Sequence, residues 1–105
     1  MAREVFDFPK SVRPHKVDVI PLSEVIFNSG PVVDLLKIDC EGCEYVSLKD
    51  AFKKEALKNV NNIIVETHGN SYRILSMLQE ASFEVKKIIG SGYNQIIYAS
   101  NHILF

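Results

Sequence analysis

Val32-Val33-Asp34-Leu35-Leu36-Lys37-Ile38-Asp39-Cys40-Glu41-Gly42-Cys43-Glu44-Tyr45 reads as a strand, a sharp turn and the start of a helix. The apolar run is nearly unbroken, as in a strand of a parallel sheet, and acidic side chains appear only where it stops. Gly42 permits a tight turn, and Glu41 and Glu44 fall at or near the positive end of the helix that follows. Chemistry therefore collects at the carboxyl end of the strand, which is where open α/β sheets bind their ligands.

Downstream, the spacing of Tyr45, Leu48, Phe52 and Ala56 predicts a helix from about Cys43 to Lys58, with that face on the sheet. Asn61-Asn62 breaks it, and Ile63-Ile64-Val65-Glu66-Thr67-His68 is a second short β-branched run that ends in polar residues at Gly69. A strand, a crossover helix and a second strand make a right-handed parallel unit, so the two polar ends should lie side by side. Asn70 or Ser71 then caps a helix to about Ala81, carrying Ile74, Leu75, Leu78 and Ala81 at helical spacing. Phe83–Ile89 and Gln95–Ser100 read as strands of an antiparallel hairpin joined by residues 90–94. Upstream of the central strand, Val17–Ile20 reads as a short strand stopped by Pro21, and Ser23 as the cap of a brief helix through about Phe27. Residues 1–16 read as an extended lead-in. The fold class is α/β, a mixed sheet of parallel strands plus a C-terminal antiparallel hairpin, with helices packed on it, in one domain spanning residues 1–105.

Composition is that of an ordinary globular domain: 47% hydrophobic and 24% charged residues in a chain of 105. The formal net charge of -1, from 12 basic and 13 acidic residues, gives no reason to expect a nucleic-acid or membrane-surface partner. No apolar run approaches the roughly 20 residues that span a bilayer, and the N-terminus shows no signal-peptide apolar region, so a cytoplasmic location is expected. The two cysteines, Cys40 and Cys43, do not make the multi-bridge framework of a small secreted domain and are expected to be reduced, structural thiols. The only G-x-G, Gly90-Ser91-Gly92, sits in the hairpin and is no phosphate cradle.

The strongest constellation joins Asp39 and Glu41 to Glu66 and His68. Spacing by two sends side chains to one side of a strand, and adjoining strand ends bring the two pairs together. A carboxylate there can serve as general base toward an acceptor hydroxyl or amine, with His68 as relay or partner. Alternatively the four side chains bind a divalent cation that acidifies the acceptor oxygen. The purely structural alternative has Asp39 capping the helix, Glu41 and Glu44 matching its dipole, and His68 merely ending a strand.

The segments Val19–Leu22, Ser23–Val25, Asp34–Glu44 and Ile63–His68 together resemble the C-terminal half of FkbM-type methyltransferases, the K-I-D-x-E-G-x-E core of residues 37–44 being the specific part. The resemblance spans about residues 17–100. It implies a partial Rossmann-like fold, S-adenosylmethionine as cofactor and methylation mainly of oxygen atoms of small molecules or sugars. It places Asp39 and Glu41 at the end of the family's fourth strand, and Glu66 and His68 at the end of its fifth. The family's first strand, glycine-rich donor loop and ribose-holding acid have no counterpart here. A truncated domain is thus implied, weak in binding the donor alone and completed by homo-oligomerisation or by a partner that supplies the missing half.

Overall fold

The computed structural model describes residues 20–102. The lead-in expected over residues 1–16 lies outside them, as does the strand expected at Val17–Ile20 apart from Ile20, which is in no strand. The sheet is built on β1 (Val33–Ile38), the strand anticipated from the apolar run, which pairs in parallel with β2 (Val60–His68). Their connection is α2 (Glu44–Lys53) and a short 3-10 turn at Ala56–Asn59. After β2 come α3 (Ser71–Glu80), β3 (Phe83–Ile89) and β4 (Asn94–Asn101). The last strand inserts between its hairpin partner and β2, antiparallel to both, which gives the order β1-β2-β4-β3. The α/β class and the mixed sheet are therefore as read from the sequence.

The crossover departs from the expected single helix. The α-helical segment stops at Lys53, and Glu55 enters the left-handed region at φ 62° before the 3-10 turn begins. Consequently β2 starts at Val60, and Asn61-Asn62 lies inside the strand where a helix breaker was expected. Cross-strand partners explain the reversal: the Asn62 amide donates to the Asp34 carbonyl at 3.0 Å, and its oxygen accepts the Ser100 and Tyr98 hydroxyls at 2.8 and 3.2 Å. Such tertiary contacts outweigh the low strand propensity of asparagine.

A second departure concerns the first helix, α1 (Leu22–Asn28). Pro21, not Ser23, occupies its N-cap position. Ser23 is instead buried one residue inside the helix, where its backbone N–H donates to the Asp50 carboxylate at 2.8 Å and ties α1 to α2.

Strand alternation shows that the helices cover one face. Ile63, Val65, Ile97 and Ala99 are buried beneath Leu48, Ala51, Ile74 and Leu78. Alternate residues form the other face, where Leu35, Ile89, Ile96 and Tyr98 remain exposed at 52%, 52%, 39% and 37%. Among the described residues, no strand pairs with the free edge of β1. The site thus lies at the end of a strand pair that, among the described residues, is supported by helices on one side only.

Candidate functional site

The turn between β1 and α2 is fixed by two unusual backbone conformations. Glu41 has φ 43° and Gly42 φ 112°, the latter a region that side chains rarely adopt, which accounts for glycine there. This tight path leaves the Cα atoms of Cys40 and Cys43 5.5 Å apart and joins them in a disulfide, correcting the expectation of two reduced thiols. The physical reason is local: bridging needs Cα atoms within about 7 Å, and the turn itself brings them there. Cys43 holds the N-cap position of α2, so Asp39 is not the cap. Asp39 and Glu41 are both exposed.

Parallel pairing of β1 with β2 aligns Lys37 with Ile64 and Ile38 with Val65. Extending that register by one residue sets Asp39 beside Glu66, and their carboxyl groups share a hydrogen bond. That bond, with the Asp39 charge next, pushes the Glu66 carboxyl above its ordinary range, and the Glu41 charge adds to the effect. His68 acts in the opposite direction. The four residues singled out in the sequence are therefore close enough to sense one another, with Asp39 and Glu66 as the pair in direct contact.

Glu44 was read from sequence only as a match for the helix dipole, yet it is the best-anchored polar side chain of the region. It is 0% exposed. One carboxylate oxygen, Oε1, accepts the Gly42 N–H at 2.9 Å; the other, Oε2, lies 3.1 Å from both His68 Nδ1 and Asn70 Nδ2. The signal that pointed to it was its place in the K-I-D-x-E-G-x-E core; what concealed it was its position in the first helical turn, where an acid needs no further explanation. Asn70 was also missed. It holds the N-cap position of α3, as the sequence suggests, but its side chain makes no capping bond; it accepts the His68 N–H at 3.0 Å and spans to Glu44.

Burial opposes the charged form of Glu44, but the N–H groups of Gly42 and Glu44 and the side chains of Asn70 and His68 prevail and lower its pKa from the usual 4.5. A depressed carboxyl contributes stability that is present above its unfolded value and lost as pH falls through the folded one. We therefore expect Glu44→Gln to lose less stability than the wild type between about pH 5 and pH 3, measured as thermal midpoints across a pH series. Equal slopes for the two proteins would contradict this. Glu66 carries the reverse sign: its contribution is full below its unfolded value and declines as pH rises through the raised one.

Among the described residues, no three His, Cys, Asp or Glu side chains are arranged to hold a metal ion. The N–H of Gly42 is already taken by Glu44, a Cβ at that glycine would meet nothing within 4 Å, and Gly90 and Gly92 stand at the hairpin turn. A cavity of about 510 Å³ exists, but its walls include Phe52, Leu57, Ala81 and Asn101, at the opposite end of β2 from His68. None of the four candidate residues lines it.

No helix among the described residues is long and apolar enough to cross a membrane. The chain has no match among curated proteins or solved structures. The FkbM methyltransferase domain, in contrast, matches residues 3–88, beginning earlier than the stretch that carries the resemblance and stopping before β4. With most of its length so matched, the chain belongs to the FkbM methyltransferase domain family.

Proposed function

We propose that this chain forms the acceptor side of an S-adenosylmethionine-dependent O-methyltransferase acting on a hydroxyl of a small molecule or sugar. The observation that carries this reading is the Asp39–Glu66 carboxyl pair at the carboxyl ends of adjoining parallel strands, with His68 in electrostatic reach. An acceptor hydroxyl is a poor nucleophile until its proton is drawn away, and a carboxylate held beside a second carboxyl is suited to that task. Asp39 is the base, Glu66 shares the proton, and Glu41 and His68 set the local charge. S-adenosylmethionine supplies the methyl group.

The sequence carries no glycine-rich strand-to-helix loop, so weak donor binding by this chain alone belongs to the proposal. The test is transfer of labelled methyl groups at millimolar donor to a panel of hydroxylated small molecules and sugars. It compares the 105-residue chain with a double variant, Asp39→Asn with Glu66→Gln. The expected result is slow transfer that the double variant abolishes; equal transfer by both proteins would refute the role of the pair.

A second reading is favoured by the uncovered sheet face. Leu35, Ile96, Tyr98 and Ile89 are exposed on it, and the edge of β1, which no described strand pairs, is a template for strand pairing. In this reading the chain acts through self-association or through a protein that supplies further sheet, and its site residues do not turn over substrate. Light scattering over a dilution series is expected to give a dimer or higher oligomer. A monodisperse monomer whose Val33–Ile38 amides exchange rapidly would count against association through this edge.

A further inference from the structure

The hydrogen-bond directions around Glu44 can be assigned from one fixed donor. A backbone N–H can only donate, so the Asn70 oxygen that lies 3.0 Å from the His68 N–H must be its acceptor, Oδ1. The other arm of that amide, Nδ2, is then the group 3.1 Å from Glu44 Oε2, and it too can only donate. Glu44 Oε1 meanwhile accepts the Gly42 N–H at 2.9 Å, so both carboxylate oxygens are met by donors. An ionised carboxylate has no proton to give. The remaining neighbour of Oε2, His68 Nδ1 at 3.1 Å, must therefore carry the hydrogen.

We propose that Glu44 is a positioning residue that holds His68 in the Nδ1–H tautomer, leaving Nε2 as the proton-accepting atom of the ring. The carboxylate is fully buried and the His68 side chain only 13% exposed, so water competes little for the pairing. Asn70 makes the arrangement directional, because turning its amide would set a donor against the His68 N–H and an acceptor against the Glu44 carboxylate. The turn around Gly42, closed by the Cys40–Cys43 bridge, delivers the N–H that holds the other oxygen. A carboxylate that fixes a histidine's tautomer through Nδ1 leaves the opposite nitrogen with a lone pair for proton traffic. The chemical consequence, an Nε2 poised near Glu66 to relay a proton taken from the acceptor, rests on the acceptor-side reading; the tautomer itself does not.

Nitrogen-15 spectra of the labelled 105-residue chain test the proposal on the alkaline plateau, where the histidine signals no longer move with pH. The signals are assigned by loss in His68→Gln. In the wild type, Nδ1 of His68 is expected to be the protonated nitrogen and Nε2 the bare one. In Glu44→Leu no acceptor faces Nδ1, so the ring is expected to shift toward the Nε2–H form that neutral imidazole prefers in water. A wild-type ring protonated on Nε2, or an even mixture, would overturn the proposal, and so would a folded Glu44→Leu protein that keeps the wild-type tautomer. If the variant fails to fold, the wild-type spectrum decides alone. Because no donor or acceptor is present, an inactive protein with the expected tautomer refutes the acceptor-side reading and leaves this one standing.

Discussion

Glu44→Ala is expected to cost the fold about 3–5 kcal/mol, because it truncates a fully buried side chain and leaves buried donors without their acceptor. The truncation removes the acceptor of the Gly42 N–H, of the Asn70 amide and of the His68 ring together. Each donor left unsatisfied away from water carries a penalty of about 1–3 kcal/mol, and the shortened side chain leaves a void where Glu44 was fully enclosed. Domains of this size are stable by about 5–15 kcal/mol, so the variant should be near the edge of folding at ambient temperature. Glu41→Ala is the control. That residue is exposed, and its replacement should change stability by no more than about 0.5 kcal/mol. Urea unfolding midpoints of the three proteins give the comparison; a Glu44→Ala midpoint close to that of the wild type would show that the network contributes little.

The same residue shows where a sequence can be read and where it cannot. The strand, turn and helix of residues 33–53 were legible because hydrophobic run, glycine and acidic helix start all agree there. The hairpin was legible for the same reason, two β-branched runs around a glycine-rich turn, and Phe83–Ile89 has the bounds read from the sequence. The start of β2 was not. Asn61 and Asn62 are poor strand formers, and what makes them strand residues is Asp34, 27 and 28 positions earlier in the chain, together with Tyr98 and Ser100 of β4. Nothing local records partners so distant. The end of α2 was hidden for a related reason: Glu55 is a good helix former by type, and its left-handed φ follows from the need to turn the chain toward Val60.

The site divides along the same line. Asp39 and Glu66 are found from strand periodicity alone, because a parallel register carries each strand end to its neighbour's. Glu44 and Asn70 lie off the strands, and their roles depend on how two loops meet, which spacing does not encode. The disulfide was misread because two cysteines were weighed by number and compartment, whereas the turn between them had already set their separation.

Asp39→Asn is expected to reduce methyl transfer by about 10²- to 10⁴-fold, the contribution typical of a positioned general base, while Glu66→Gln costs no more than about tenfold. The asymmetry follows from the hydrogen bond between the two carboxyls. Two adjacent carboxylates do not both ionise readily, and the hydrogen bond and charge of Asp39 raise the pKa of Glu66, so Glu66 parts with its proton less readily than an isolated carboxyl. Asp39, at the end of β1, is the member assigned as base in the proposed reaction. A glutamine at position 66 offers an N–H donor to the Asp39 carboxyl and leaves Asp39 in place. An asparagine at position 39 removes the proposed base, and Glu66 remains fixed on β2, between β1 and β4, one strand away from the position Asp39 holds. The pH profile supplies an independent check. Loss of the second proton from the pair should appear as a separate step above the ordinary carboxylate range in the wild type, and that step should vanish in Glu66→Gln. A larger loss from Glu66→Gln than from Asp39→Asn would reverse the two roles and make Glu66 the base.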